Sequence, residues 1–325
     1  MNERLLRTWI CVLAGTLLSM LITPADAQPF PSRPVTIVVP YPPGAATDLI
    51  ARLVQPRLQA ALGQPVIVEN RPGANGAIGA AYVAKSVPDG YRILVAPQPV
   101  VAINPLVQKL QYDPMRDLAP LTSAANAVMA IAVHESLPVD DIKGLVTFAK
   151  KNPGKLAYGS SGTGSPMHIG GLLLAQRAGI DWTHVPYNGS GPMIMNLLSG
   201  EIKIAIATLS AFPRLGTDRR VRVIAIGEKQ RVPGAPDVPT IAETFPEFEM
   251  TTWQAFYTTA GVPDEILKRL SAELVKIMRS DDVMKRLQEL ALFVNAEGPQ
   301  HLARIQREDY ERFERILREK RIAVQ

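Results

Sequence analysis

The amino-acid sequence predicts an α/β protein with two lobes, each a mostly parallel sheet flanked by helices, and a cleft between the lobes. Three observations predict this fold class. Short apolar runs rich in β-branched residues alternate with stretches of helical period, and the order strand–helix–strand–helix–strand occurs twice. Glycine-rich turns separate the strands from the helices that follow them. The chain of 325 residues also exceeds what one hydrophobic core usually holds.

The first residues have the pattern of an export signal. Arg4 and Arg7 give a basic start, an apolar stretch follows at about 9–22, and Ala25-Asp26-Ala27 matches an A-x-A cleavage site. A membrane anchor is the alternative, but the apolar stretch is shorter than the roughly 20 residues that a spanning helix needs. We therefore predict a signal peptide over residues 1–27, cleaved after Ala27, and a periplasmic mature protein.

The first predicted lobe begins with a short β-branched run that ends at Pro40, which is typical of a buried parallel strand. Gly63 ends the helix that follows, and a Pro-Asp-Gly turn at 88–90 precedes the third strand. The predicted elements, in chain order, are strand 35–39, helix 48–62, strand 66–68, helix 77–85 and strand 91–95.

The second predicted lobe repeats this plan. Gly179 ends its first helix, as Gly63 does in the first lobe. The predicted elements are strand 155–158, helix 168–177, strand 182–187, helix 193–198 and strand 202–206.

Two apolar stretches, at 128–133 and 254–257, predict that the chain crosses between the lobes twice. Two helices, at about 263–279 and 299–318, then return to the first lobe. Lobe one is therefore expected to comprise residues 28–129 and 255–325, and lobe two residues 130–254. A double crossing of this kind forms a hinge on which two lobes close around a ligand.

Four glycine-rich turns form two matched pairs, at 42–48 and 71–76 and at 160–165 and 188–191. A turn that opens a helix leaves backbone N–H groups unpaired, with the positive end of the helix dipole behind them. Such a place binds anions. Two pairs therefore predict two similar lobes that close on one anionic ligand.

Hydroxyl groups beside these N–H groups are candidate ligand contacts, because they donate hydrogen bonds to a carboxylate. They belong to Thr47, Ser161, Thr163 and Ser165. Asp48 would repel an anion, so we assign it to organising the first turn.

Three aromatic or imidazole side chains near the turns have two open interpretations. His168 opens a helix beside the third turn, where it either caps or packs, or lines the cleft. Tyr41 and Tyr187 belong either to the wall of the cleft or to an ordinary core.

Composition and motifs argue against several other functions. The only cysteine, Cys11, lies in the export signal, so the mature chain has no thiol for disulfides, metal sites or catalysis. The net charge of +5 comes from dispersed basic residues and only 6% of residues are aromatic, so no nucleic-acid partner is expected. The four histidines lack metal-ligand spacing, so we expect no metal; they are His134, His168, His184 and His301.

Nucleotide and hydrolase motifs are incomplete. The turn at 162–165 fails the dinucleotide fingerprint because Met167 stands where the third glycine belongs, and no P-loop occurs. A nucleophile elbow around Ser161 lacks its last glycine. Ser161 and His168 alone, without an orienting acid, are weak evidence for catalysis. The sequence therefore predicts a protein that is not an enzyme.

Six motifs stand in order along the chain: PYPPGAATD (40–48), VENRPGA (68–74), PDGY (88–91), YGSSGTGS (158–165), HVPYNG (184–189) and PDVPTIAE (236–243). Together they resemble those of the Bug receptors, the extracytoplasmic solute-binding proteins of tripartite tricarboxylate transporters. The resemblance runs from about residue 31 to the C-terminus, so it covers essentially the whole mature chain.

This resemblance implies a two-lobe periplasmic-binding-protein fold, type II-like, which closes on a small carboxylate without catalysis or a cofactor. It also implies that backbone N–H groups of the first and third turns hold the ligand; Pro43 has no N–H and only shapes its loop. The candidate ligand-binding residues are Tyr41, Pro43, Gly44, Ala45, Ala46, Thr47, Ser160, Ser161, Thr163, Gly164, Ser165, His168, Tyr187, Gly189 and Thr208, with Asp48, Asn75 and Gly76 as loop-organising residues.

Two positions depart from the family pattern. Ala45 stands where the family usually has a second glycine, and its Cβ is expected to restrict positive φ in the first turn. Ala207 and Thr208 stand where many members have an aspartate. That aspartate suits an amine, so its loss argues against amino-acid ligands.

The leading hypothesis is therefore a periplasmic receptor that captures a di- or tricarboxylate or an aromatic carboxylate and delivers it to integral-membrane permease subunits. One alternative has the same fold but presents its ligand to a signalling partner such as a sensor kinase. A periplasmic hydrolase is the remaining alternative.

Overall fold

One mixed sheet of ten strands runs through the residues that the computed structural model describes, which are 30–187, 189–212 and 219–319. Met1–Ser32 forms one unit and Arg33–Gln325 a second, and every element below belongs to the second. The predicted signal peptide lies outside the described residues. The strands are β1 (Val35–Val39), β2 (Val66–Asn70), β3 (Arg92–Pro97), β4 (Leu118–His134), β5 (Ala157–Ser160), β6 (Thr183–Pro186), β7 (Ile204–Thr208), β8 (Val221–Ile226), β9 (Thr251–Thr259) and β10 (Leu292–Val294).

Helices connect and cover these strands, and local signals set their ends. Gly63 and Gly179 end two of the helices in the left-handed conformation, with φ of 69° and 62°. The longer helices are α1 (Ala46–Leu62), α2 (Ala77–Ala84), α3 (Ile142–Lys151), α4 (Pro166–Ala178), α5 (Ser190–Leu198), α6 (Asp264–Met278), α7 (Asp281–Glu289) and α8 (Pro299–Glu319). Short helical segments occupy Ala74–Gly76, Pro99–Ile103, Asn104–Val107, Leu209–Ala211 and Ile241–Glu243.

The sheet contains two parallel groups, as the repeated strand–helix pattern predicts. The strand order is β2-β1-β3-β9-β4-β7-β5-β6, and β8 and β10 also pair with β4. β1 is parallel to β2 and β3, and β5 is parallel to β6 and β7. The first and third turns therefore follow the carboxyl ends of β1 and β5, where α/β proteins usually bind ligands.

Strand β4 joins the two groups. Its 17 residues pair with β9 from Leu118 to Val128 and with β7 and β8 from Met129 onward. The predicted crossing at 128–133 is thus the second half of a much longer strand. The predicted crossing at 254–257 lies within β9, which is antiparallel to both β3 and β4.

Four elements were not predicted from the sequence. Strands β8 and β10 and helix α7 lie between predicted segments of the chain. Strand β10 has only three residues, too few for an alternating pattern. Helix α3 had a readable signal: Asp141 caps it, and Ile142, Leu145 and Ala149 are buried at helical spacing.

Gly227 forms backbone hydrogen bonds to a residue of β4 and to the residue that precedes β9. Its N–H donates to the Met129 carbonyl oxygen at 2.8 Å, and its own carbonyl oxygen accepts from Met250 N–H at 2.9 Å. A Cβ on Gly227 would lie 2.1 Å from the Met250 carbonyl oxygen. Only glycine therefore allows the chain after β8 to approach Met250, the residue before β9, this closely.

We predict that Gly227→Ala lowers the free energy of unfolding by about 1–3 kcal/mol, because backbone atoms must move to admit the methyl group. Gly191→Ala is the matched control, since its Cβ meets nothing within 4 Å; it should change stability by less than about 1 kcal/mol. Urea unfolding of both variants checks this. Equal effects of the two changes would contradict the role of Gly227.

Candidate functional site

The Asp48 carboxylate organises the first turn, between β1 and α1. It accepts hydrogen bonds from Gly44 N–H at 2.9 Å, from Arg52 Nε at 2.9 Å and from Asn70 Nδ2 at 2.9 Å. Burial alone would raise the pKa of Asp48, but the hydrogen bonds from Arg52, Gly44 and Asn70 outweigh it and lower the pKa. Asn70 also donates to the Tyr41 carbonyl oxygen at 3.0 Å, which joins the ends of β1 and β2.

These contacts change which groups of the first turn remain available. The Gly44 N–H is already bonded to Asp48, and the Ala45 N–H donates weakly to the Pro42 carbonyl oxygen at 3.4 Å. Within the described chain, the N–H groups at the next three positions have no partner; they belong to Ala46, Thr47 and Asp48. They form the positive N-terminal end of the 17-residue helix α1.

Two side-chain details bear on the same turn. Ala45 has φ −68° and ψ 159°, which is ordinary extended backbone, and the positive φ of 89° falls on Gly44 instead. Ala45 therefore has the negative φ that a residue with a Cβ favours, and the effect of its Cβ on the bound ligand stays a prediction. Thr47 Oγ1 is buried and has no hydrogen-bond partner among the described residues.

The second turn contacts the first turn through hydrogen bonds to Tyr41. The Tyr41 hydroxyl lies 3.1 Å from Asn75 Oδ1 and 3.3 Å from the Asn75 carbonyl oxygen. Asn75 Nδ2 donates to Asn104 Oδ1 at 2.9 Å, and Asn104 Nδ2 returns a bond to the Asn75 carbonyl at 2.9 Å. Burial raises the pKa of Tyr41 to about 12. Gly76 adopts φ of 87° beside Val100 and Tyr41, so this turn supports the first through Tyr41.

Ser160 lies inside the third turn. Its side chain is fully buried, and its Oγ lies 2.7 Å from His184 Nε2 and 3.0 Å from the Gly162 carbonyl oxygen. Gly162 N–H donates to the same hydroxyl at 3.2 Å. These contacts show that the Ser160 hydroxyl helps to organise the loop, and its contact with a ligand stays a prediction.

His168 also organises the third turn. Its Nδ1 accepts from Gly164 N–H at 3.0 Å, so this nitrogen carries no proton in the folded protein. Ser165 caps α4 by accepting from His168 N–H at 3.2 Å. The His168 and His184 rings stack with centroids 3.8 Å apart. Burial, and then the neighbouring His184, lower the pKa of His168 to about 4.

Some backbone N–H groups of the third turn and of the start of α4 are unpaired among the described residues. The N–H groups of Ser161, Thr163 and Met167 have no partner within the described chain. The Ser161 carbonyl oxygen accepts from Gly189 N–H at 3.3 Å, which links the two turns. The Tyr187 hydroxyl accepts from Asn196 Nδ2 at 3.0 Å. Asn188 lies outside the described residues.

A cavity of about 540 Å³ connects the first turn with the end of β7. Predicted residues Gly44, Ala46 and Thr208 line it, whereas no third-turn residue does. Ser210, which sequence reasoning missed, lies beside Thr208 with 3.4 Å between their hydroxyl oxygens. The full lining is Gly44, Ala46, Leu49, Ala127, Thr208, Leu209, Ser210, Phe212, Gly234, Gln288, Glu289, Leu290, Ala291 and Leu292.

Among the described residues, the lining of this cavity holds no cation. Its one charged residue within those ranges is Glu289, which pairs with Arg286 at 2.6 Å. What the described lining offers an anion is therefore backbone N–H groups. Residues 288–292 were missed because they run from the end of α7 to the start of β10, two elements that the sequence pattern did not predict.

The serine and histidine of the hydrolase hypothesis do not form a catalytic pair. The Ser161 hydroxyl donates to Met167 Sδ at 3.3 Å, while His168 Nδ1 accepts from Gly164. Among the described residues, no cluster of three or more histidine, cysteine, aspartate or glutamate side chains could hold a metal ion. No helix in the described ranges is both long and apolar enough to cross a membrane.

The depressed pKa of His168 predicts a loss of stability in acid. The pKa of His168 is about 4 in the folded protein against an ordinary value of 6.5, so the unfolded chain binds more protons between these two pH values. The contribution of neutral His168 to the free energy of unfolding is complete above pH 6.5 and is lost as the pH falls toward 4. This contribution amounts to about 3 kcal/mol.

Urea unfolding at pH 7 and pH 4.5 checks this prediction. The wild type should lose more free energy of unfolding than His168→Gln over this interval, whereas the control His134→Gln should follow the wild type. An identical loss in the wild type and in His168→Gln would contradict it.

Comparisons with known proteins identify the family. The profile of the tripartite tricarboxylate transporter family receptor, TctC, matches residues 50–322. The protein BugT of Bordetella pertussis is 32% identical over 265 residues, covering 81% of each chain.

Two solved structures have the same fold. R. palustris Rpa4515 with adipate is 33% identical, covers 89% of this chain and 97% of its own, and has a TM-score of 0.77. MatC from Rhodopseudomonas palustris with bound malate is 29% identical, covers 89% of this chain and 100% of its own, and has a TM-score of 0.72. The predicted α/β two-lobe fold is thereby confirmed, and the chain belongs to the Bug family of receptors of tripartite tricarboxylate transporters.

Proposed function

We propose that this protein is a periplasmic receptor that captures a small dicarboxylate and delivers it to the permease subunits of a tripartite tricarboxylate transporter. The observation that carries the proposal is the set of N–H groups at the start of α1 that have no partner among the described residues, beside the cavity of the first turn. The bound adipate and malate of two relatives support a carboxylate as the ligand class.

The first turn supplies what a carboxylate needs. Helix α1 points its positive end at the turn, and the N–H groups of Ala46 and Thr47 are free to donate to an oxygen anion. Hydrogen bonds to a charged acceptor are stronger than neutral ones. An anion can therefore be held here without an arginine or lysine.

The two lobes supply the second half of the site. We propose that residues 28–129 and 255–325 form lobe one and residues 130–254 form lobe two, with β4 and β9 as the hinge. On closure, the free N–H groups of Ser161 and Thr163 would approach the second carboxylate of the ligand. A ligand that bridges both lobes binds the closed state more tightly and so stabilises it.

Ligand class is tested by thermal unfolding of the purified mature chain with adipate, malate and the neutral diol 1,6-hexanediol. A dicarboxylate at about 100 times its Kd should add roughly 2.7 kcal/mol to the free energy of unfolding and raise Tm. The diol should have no effect. A rise in Tm with the diol but with neither dicarboxylate would overturn the carboxylate assignment.

Thr47→Val tests the first turn directly. The substitution removes a buried hydroxyl that lacks a partner, so the ligand-free protein should keep or slightly gain stability. Dicarboxylate affinity, measured by calorimetry, should fall about tenfold, because the hydroxyl bonds to the bound carboxylate or to water that it holds.

Thr147→Val is the matched control for this substitution. Thr147 is an exposed residue of α3, and its hydroxyl donates to the Lys143 carbonyl oxygen at 2.8 Å. The control should leave affinity unchanged. Unchanged affinity in Thr47→Val as well would remove Thr47 from the site.

A further inference from the structure

A second cavity, of about 620 Å³, lies on the outer side of helix α2. One wall is α2 itself, the opposite wall is the segment 108–112, and Arg92 of β3 also contributes. This cavity shares no lining residue with the cavity beside the first turn. The function proposed above therefore gives it no role.

Small side chains on α2 create the space. Ala77 and Ala81 lie four residues apart, one helical turn, and both face the cavity. Tyr112, only 7% exposed, lines the opposite wall, and its hydroxyl is turned to the Val100 carbonyl oxygen at 3.3 Å. Ile78 and Val87 also line the cavity and are 54% and 65% exposed. The walls therefore offer an apolar surface to a ligand.

The charge around this apolar surface has one sign. Lys85, Arg92 and Lys109 line the cavity, and the described part of its lining contains no aspartate or glutamate. Among the described residues, none of these three cations takes part in an ion pair. Lys85 Nζ instead donates to Gln111 Oε1 at 3.0 Å, and Arg92 Nε to the Tyr82 hydroxyl at 3.0 Å.

We propose that this cavity binds an amphipathic monoanion, a small molecule with an apolar body and one carboxylate, at a site separate from the inter-lobe ligand. The apolar body would lie against Ala77, Ala81 and Tyr112, and the carboxylate would meet Lys85 and Lys109. The volume falls within the range of about 300–1,000 Å³ that small-molecule sites occupy. Medium-chain and aromatic carboxylates have this chemistry.

The test is a calorimetric titration of the mature chain with octanoate, with 1-octanol as the uncharged comparison. Octanoate should bind more tightly than octanol, because only octanoate carries the charge that the cations recognise. The double variant Lys85→Gln/Lys109→Gln should weaken octanoate binding about fivefold or more. Ala81→Leu should abolish it, because the larger side chain fills the cavity.

Two controls locate the binding. Lys150→Gln/Lys151→Gln removes two exposed lysines at the end of α3 and should leave octanoate binding unchanged. Thr47→Val should also leave it unchanged, because Thr47 does not line this cavity. This control separates the proposal from the dicarboxylate site, whose own test uses adipate and malate.

Three outcomes would overturn the proposal. The first is no octanoate binding, and the second is binding that Ala81→Leu and the double lysine variant leave intact. The third is loss of octanoate binding in Thr47→Val, which would assign octanoate to the inter-lobe site. If octanoate does not bind but Lys85→Gln/Lys109→Gln weakens association with permease-containing vesicles, the cavity is a protein-docking surface instead.

Discussion

The buried Asp48 carboxylate is the interaction on which the first turn depends. It places a negative charge beside a helix N-terminus that is itself suited to binding an anion. Arg52 compensates that charge, and Gly44 and Asn70 occupy the remaining acceptor positions of the carboxylate. The Gly44 N–H is thus used to hold the shape of the turn, and the first three N–H groups of α1 have no partner among the described residues.

The third turn reaches a similar arrangement by different chemistry. Neutral groups hold it together: the Ser160 hydroxyl bonds within the loop, and His168 Nδ1 takes the place that a carboxylate occupies in the first turn. In both turns a glycine N–H donates a hydrogen bond that stabilises the turn itself. Gly44 N–H donates to the Asp48 carboxylate, and Gly164 N–H donates to His168 Nδ1. The N–H groups that have no partner among the described residues belong to residues with a Cβ. They are those of Ala46, Thr47 and Asp48 at the first turn and of Ser161, Thr163 and Met167 at the third.

The two halves depend on one shared element for their connection. Strand β4 changes partners between Val128 and Met129, and Gly227 bonds to both Met129 and Met250 at the same place. Because the backbones lie so close at this place, the crossing from one parallel group of strands to the other takes place within a few residues. The cavity beside the first turn lies next to it, since Ala127 of β4 is part of its lining.

The sequence by itself determined the order of strands and helices, the stops at Gly63 and Gly179, the four turns and the family resemblance, because periodicity, capping and turn chemistry act over a few neighbouring residues. Only the tertiary structure decided which polar groups remain free. Asn70 reaches Asp48 and His184 reaches Ser160 across more than twenty residues of chain, and such contacts leave no local pattern. For the same reason, packing alone brought Ser210 to the cavity of the first turn and opened the cationic cavity beside α2.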